Sequence, residues 1–122
     1  MLIDALIATR HNAGLNKVVI DQFSSTNLLE DPSSILVRNT IDLLVIGDMC
    51  YDDQLAQSIT RLITFAHRNA IHVLLADPGR YSFKSIVADQ LSSSMKRVCE
   101  YPIVDHDYME PEFQSIQIWS ST

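Results

Sequence analysis

The strongest pattern in the chain lies between Ile41 and Arg80, where two short apolar runs, each ending in an aspartate, flank an amphipathic stretch. Leu43 to Ile46 is apolar without alternation, the pattern of a strand covered on both faces. Gly47 and Asp48 break it. Leu55, Ile59, Leu62, Ile63 and Ala66 then fall on one side of a helix, with Asp53, Gln54, Gln57, Arg61 and Arg68 elsewhere. Val73 to Ala76 predicts a second strand, stopped by Asp77-Pro78-Gly79. Strand, helix and strand of these lengths predict a right-handed parallel crossover. Ligands of such sheets bind beyond the carboxyl ends of the strands. Asp48 and Asp77 both sit there.

The flanking segments are read in the same way. Ile3 to Ala13 predicts a helix with Ile3, Leu6 and Ile7 on its apolar side, ended by Gly14 in the left-handed conformation. Val18 to Ile20 predicts a short strand closing on Asp21. Gln22 to Thr40 has no clean period and reads as loop, with room for one helical turn around Ser33 to Val37. Ser82 opens a helix in which Phe83, Ile86, Val87, Leu91, Met95 and Val98 recur at helical spacing, with Ser92 to Ser94 on its polar side. Val98 to Val104 and Ser115 to Ser120 read as strands joined by residues 105–112 with no helix between them, hence an antiparallel hairpin. The resulting class is α/β, a parallel sheet with a C-terminal antiparallel hairpin, in one domain over residues 1–122. No internal repeat is visible.

Composition narrows the function. An apolar fraction of 47% and a charged fraction of 20% are those of a soluble globular protein. A net charge of −6, with no basic run longer than Lys96-Arg97, argues against nucleic acid and against an anionic membrane surface as partners. No apolar run approaches the ~20 residues of a membrane helix. Cys50 and Cys99 are too few for a disulfide scaffold and form no metal-type pair, so a reducing compartment is expected. The N-terminus lacks the features of a signal or transit peptide. Gly14, Gly47 and Gly79 never fall two to a motif, so no phosphate-cradling loop is present.

Candidate chemistry gathers at the two strand ends. Asp48 or Asp52 caps the following helix on the plainest reading. Tyr51 raises the functional interest, because a carboxylate and a phenol at one strand end suit an incoming amine. Asp77-Pro78-Gly79-Arg80 is by default a turn, and by position a wall of the same crevice. Arg80 pairs with an acid or holds an acidic ligand. His11, His67, His72 and His106 show no ligand spacing, and no metal is expected. Cys50 reads as a small buried hydrophobe and Trp119 as core.

Together these residues resemble the C-terminal part of the class I (seven-β-strand) S-adenosylmethionine-dependent methyltransferases. Within that class the match is to the lysine methyltransferase family that modifies the β subunit of electron transfer flavoprotein. The resemblance is carried by Leu43-Leu44-Val45-Ile46-Gly47-Asp48-Met49-Cys50-Tyr51-Asp52-Asp53, which holds the family's Asp-x-x-Tyr motif. Leu74-Leu75-Ala76-Asp77-Pro78-Gly79-Arg80, Ile116-Gln117-Ile118-Trp119 and the helix Ala8 to Asn16 add to it.

The resemblance implies a Rossmann-like sheet, S-adenosylmethionine as cofactor, and transfer of its methyl group to a lysine amine attacking in line. It gives Asp48 and Tyr51 the role of orienting that amine, and puts Asp21 and Gly47 on the cofactor side. Asp77 and Arg80 fall on the substrate side. It implies electron transfer flavoprotein β subunit or a similar protein as partner, and a mitochondrial location for which the N-terminus carries no import signal. The family's glycine-rich loop and ribose-holding acid would precede this chain, with Leu2 near the position of the acid. The expectation is therefore a truncated domain, from a fragment, splice form or shortened gene model, lacking its first strands and inactive alone. The absent strands would leave Val18 to Ile20 without a sheet neighbour and expose the edge of the Leu43 to Ile46 strand, inviting self-association. A non-catalytic remnant serving as an interaction module is the alternative. A generic α/β regulatory domain is the third reading, which the closing hairpin argues against.

Overall fold

A computed structural model describes residues 2–104 and 112–122. Helix α1 spans Leu2–Leu15, strand β1 Leu43–Gly47, helix α2 Asp53–Arg68 and strand β2 His72–Asp77. A π-helical segment, Phe83–Ala88, then leads to strands β3, Met95–Pro102, and β4, Ser115–Ser121. The four strands form one sheet in the order β1-β2-β4-β3. β1 and β2 are parallel, with Val45 beside Leu74. β4 runs antiparallel to both β2 and β3. The class is thus α/β with a mixed sheet, and the predicted hairpin joins the parallel pair through its second strand. The connector of that hairpin, residues 105–111, lies outside the described residues, as does His106.

Helix α2 forms where the apolar spacing predicts it, and its inner face supplies much of the core. Ala56, Ile59, Leu62, Ile63 and Ala66 are buried with Leu44 and Ile46 of β1, Val73 and Leu75 of β2, and Phe83 and Val87. Asp52 caps it, its carboxylate accepting the Leu55 N–H at 2.8 Å. The predicted turn around Ser33 is present as a π-helical turn, Ser33–Val37, and Leu36 from it is buried in the same core. No helix among the described residues is long and apolar enough to cross a membrane.

Four expectations need correction. β1 is not covered on both faces: Leu44 and Ile46 are buried, but Leu43 is 46% and Val45 68% exposed. The apolar run has no alternation because its outer side chains are apolar too, although they are left largely exposed. Val18 to Ile20 forms no strand, and all three side chains are exposed. Gly14 does not end α1, which runs to Leu15; the left-handed residue is Lys17, at φ 54°. The Val18 N–H bonds back to the Ala13 carbonyl and Lys17 to Gly14, and this pairing closes the helix. Thr40 and Ala70, also left-handed, close the Ser33–Val37 turn and α2 with the same two bonds.

Last, Met95 and Val98 belong to β3 and not to a helix. Ser92 to Ser94 form the turn between, because serine hydroxyls compete for backbone groups and favour leaving a helix. Val98 is exposed at a register shift between Arg97 and Cys99.

Helix α1 contributes no residue to the buried core among those described; Ile7 and Leu15 are exposed, and the Arg10 guanidinium lies 4.9 Å over the Phe23 ring. Stability should follow this division. Ile59→Ala, inside α2, is expected to cost about 2–5 kcal/mol, whereas Ile7→Ser on the exposed face of α1 should stay within about 0.5 kcal/mol. Urea unfolding followed by circular dichroism measures both, and equal losses would contradict the fold.

Candidate functional site

Two strand ends build the site. Asp48 extends the β1–β2 ladder by one residue, its N–H donating to the Ala76 carbonyl at 2.9 Å. Its backbone then turns left-handed at φ 45°, a conformation aspartate tolerates better than most residues. Asp52 already caps α2, so the Asp48 carboxylate is not used there. It accepts instead from Arg80, Nε to Oδ1 at 2.6 Å and Nη2 to Oδ2 at 3.1 Å.

Arg80 is delivered by the turn after β2. Asp77, 1% exposed, accepts the Gly79 N–H at 2.7 Å and the Arg80 N–H at 2.8 Å on Oδ2. Gly79 stands at φ 96°, which suits glycine alone. The turn thus sends the Arg80 side chain across to β1. Its guanidinium lies 4.6 Å from the ring centre of Tyr51 and 5.1 Å from that of Phe113. Nearby, the Ser82 hydroxyl donates to Asp53 at 2.7 Å, tying the start of α2 to the same turn.

Electrostatics set this corner apart. Burial raises the pKa of Asp77, and the Asp48 charge adds to that; the backbone donors at Arg80 and Gly79 pull the other way. Its Oδ1 is buried with no hydrogen-bond partner, as a carboxyl holding a proton would tolerate better than a carboxylate. The Cys50 thiol is pushed up to about 12, first by burial and then by Asp77 and Asp48. Cys50 is therefore an inert buried thiol and not a nucleophile.

Asp48, Tyr51, Asp77 and Arg80 therefore meet at one place. Gly47 lies one residue away and lines a cleft of about 580 Å³ with Val45, Met49, Leu28 and Leu29. Asp21 is exposed, in the segment that follows the unformed strand, and does not line that cleft. Phe113 was missed; its only signal was a lone aromatic ring between the acidic connector and β4. Trp119 is half-buried, edge-on to Phe83 at 5.4 Å between ring centres. At the opposite end of the sheet His72 sits between the hydroxyls of Ser120, at 2.9 Å, and Ser121, at 3.2 Å.

The described residues do not by themselves fit S-adenosylmethionine. The cleft beside Gly47 has room for an apolar or aromatic group, but no carboxylate lines it to hold ribose hydroxyls. A Cβ added at Gly47 would meet nothing within 4 Å, so no backbone closes there around a ligand.

No protein-family profile and no solved structure matches the chain. Residue by residue it is similar to the electron transfer flavoprotein β subunit lysine methyltransferase of the zebrafish Danio rerio, 28% identical over 102 residues. That stretch covers 83% of this chain and 36% of the relative, so the chain spans about a third of the length of the curated protein it matches. The match supports the resemblance to this methyltransferase family.

Asp77 carries a pH test. Its pKa is raised in the fold, so the native state keeps the proton where the unfolded chain has lost it. The stabilisation due to the neutral form is complete below about 3.8, the ordinary carboxyl value, and disappears as pH rises through the raised pKa. Wild-type stability measured against Asp77→Asn should fall as pH climbs from 3.8, then level off. A difference that rises with pH would invert the assignment.

Proposed function

We propose that residues 1–122 form the substrate-amine side of a methyltransferase-like domain that acts on protein lysines. Electron transfer flavoprotein β subunit is the first candidate substrate, because the zebrafish relative is named for it. The observation that carries this reading is the Arg80 guanidinium held between the Asp48 carboxylate and the Tyr51 ring. A carboxylate and an aromatic face arranged around a cation are the groups that a lysine ammonium needs.

In this reading the lysine shares Asp48 with Arg80. Tyr51, 60% exposed, forms the outer wall that the aliphatic stem of the lysine crosses. Partial removal from water lowers the pKa of the ammonium, and its proton passes to a carboxylate oxygen of Asp48. Asp77 acts one step back, fixing the turn that presents Arg80. S-adenosylmethionine is the cofactor that the relative's activity implies, and it supplies the methyl group when bound. Asp21 and Gly47 are assigned to its side by resemblance alone. Mitochondria are the compartment by the same reasoning.

A second reading, a non-catalytic module that binds the protein substrate, draws on the cleft without a carboxylate. It keeps the amine site and gives up the methyl transfer.

Titrating the isotope-labelled chain with purified electron transfer flavoprotein β subunit should shift the amides of Asp48, Tyr51 and Arg80. Asp48→Ala should weaken binding at least tenfold, and Tyr51→Ala about two- to thirtyfold, the range of a cation–aromatic contact. Undiminished binding by Asp48→Ala would remove the amine assignment. Calorimetry of the folded chain with S-adenosylmethionine should give no saturable heat. Saturation at one equivalent would mean that these residues do make a complete cofactor site, and the module reading would fall.

A further inference from the structure

Asp48 follows β1, Asp77 ends β2, and one residue serves both carboxyl groups. The Arg80 side chain donates to the two oxygens of Asp48, at 2.6 and 3.1 Å, while its backbone N–H donates to Asp77 Oδ2 at 2.8 Å. The remaining oxygen of Asp77, Oδ1, is buried with no partner.

The other groups around Asp77 do not balance a charge on it. The loop after β1 brings Asp48 and the Cys50 thiol, which burial keeps protonated. The start of α2 brings Asp53, already engaged by the Ser82 hydroxyl at 2.7 Å. β4 sets Gln117 opposite Asp77, and it carries no charge. Lys84 lies back over Gly79, where an added Cβ would come within 3.7 Å of its Nζ. Among the described residues, the charges that act on Asp77 are those of Asp48 and Arg80.

With Asp77 neutral, the Asp48–Arg80 pair is balanced. A second cation brought to Asp48 then meets the repulsion of Arg80 with no further carboxylate to offset it. With Asp77 ionised, the same corner holds two carboxylates and one arginine, and an ammonium restores the balance. Ammonium binding and loss of the Asp77 proton therefore favour each other. We propose that the amine corner exchanges a proton for a cation: an ammonium that reaches Asp48 drives the proton of Asp77 into solvent. One positive charge enters as one leaves, so the net charge of the corner is unchanged.

Burial and the Asp48 charge keep that proton on Asp77 in the chain alone, so it is there to be released. Asp77 is in this way a positioning residue whose charge, and not only its hydrogen bonds, governs what Asp48 accepts. The inference rests on the amine reading above and gives it a pH dependence. Ammonium affinity rises with pH through the Asp77 titration and levels off above it.

The probe is n-butylammonium chloride, an aliphatic stem with an ammonium. In chain labelled with carbon-13 at the aspartate carboxyl groups, the Asp77 resonance reads its titration midpoint directly. Saturating n-butylammonium should lower that midpoint by about one pH unit relative to the same concentration of sodium chloride, which corresponds to about tenfold tighter binding by the ionised form. Asp77→Asn keeps an oxygen for the Gly79 and Arg80 N–H groups. Its affinity for n-butylammonium should lose the rise with pH and stay near the value that wild type shows below the titration. If the midpoint does not move while the Asp48 and Tyr51 amides shift, the exchange falls and the amine site stands. No shift of those amides at any pH removes both. A rise with pH that persists in folded Asp77→Asn also overturns the proposal, since the proton then leaves another group. Where that variant does not fold, the wild-type midpoint decides alone.

Discussion

The bidentate contact between Arg80 and Asp48 holds this corner of the protein together. A parallel strand pair is joined by its ladder and by its crossover helix, and beyond the last ladder bond nothing obliges the two departing loops to stay together. Here the loop after β2 reaches back across to the loop after β1. The arginine side chain is mostly buried and the aspartate a third exposed, so the pair is partly screened by water. Its contribution lies less in stability than in geometry. A planar guanidinium fixed by two donors leaves the carboxylate one orientation and gives the Tyr51 and Phe113 rings a common surface to pack on.

That contact depends on the backbone geometry at both loops and on Asp77, which takes no direct part in it. Asp77 is buried so deeply that ionisation is disfavoured, yet its Oδ2 organises the two N–H groups that aim Arg80. Asp48 requires a left-handed backbone and Gly79 a positive φ that other residues resist. Each is a local cost that an ordinary turn would avoid. Where a fold keeps several such costs within a few residues, the geometry they produce is the reasonable object of selection.

The sequence was legible where one periodicity dominated. Helix α2 has a single apolar face and a single place to bury it, so Leu55 through Ala66 foretold both its extent and its partner strands. The hairpin followed from the absence of a helix between its strands. The failures share a cause: a local pattern compatible with two environments. Apolar Leu43 and Val45 look the same whether their face is covered or bare. Met95 and Val98 continue the spacing of Phe83 and Leu91 by coincidence, and only three serines mark the break. A left-handed helix end is imposed by the hydrogen bonds that close it, so Lys17 takes the role that Gly14 was expected to fill. At the site, Asp48 and Arg80 were both identified, but their pairing was one of several open to them. The contribution of Phe113 depends on strand order, which brings β4 beside β2 and is not visible in any local window.

Asp48, Tyr51 and Phe113 are organised around a cation that belongs to the protein, Arg80. If the proposed lysine binds here, this arrangement lowers the cost of its binding. The carboxylate is oriented before the amine arrives, so the loss of side-chain freedom that would accompany recognition has already been met in folding. It also sets a selectivity, because a ligand must improve on one of two existing N–H contacts without dislodging both. A compact ammonium on a flexible stem can approach Asp48 beside Arg80; a second planar guanidinium, needing both oxygens, would compete for the place that Arg80 already holds. In the proposed reading, the internal arginine thus tunes the carboxylate toward lysine.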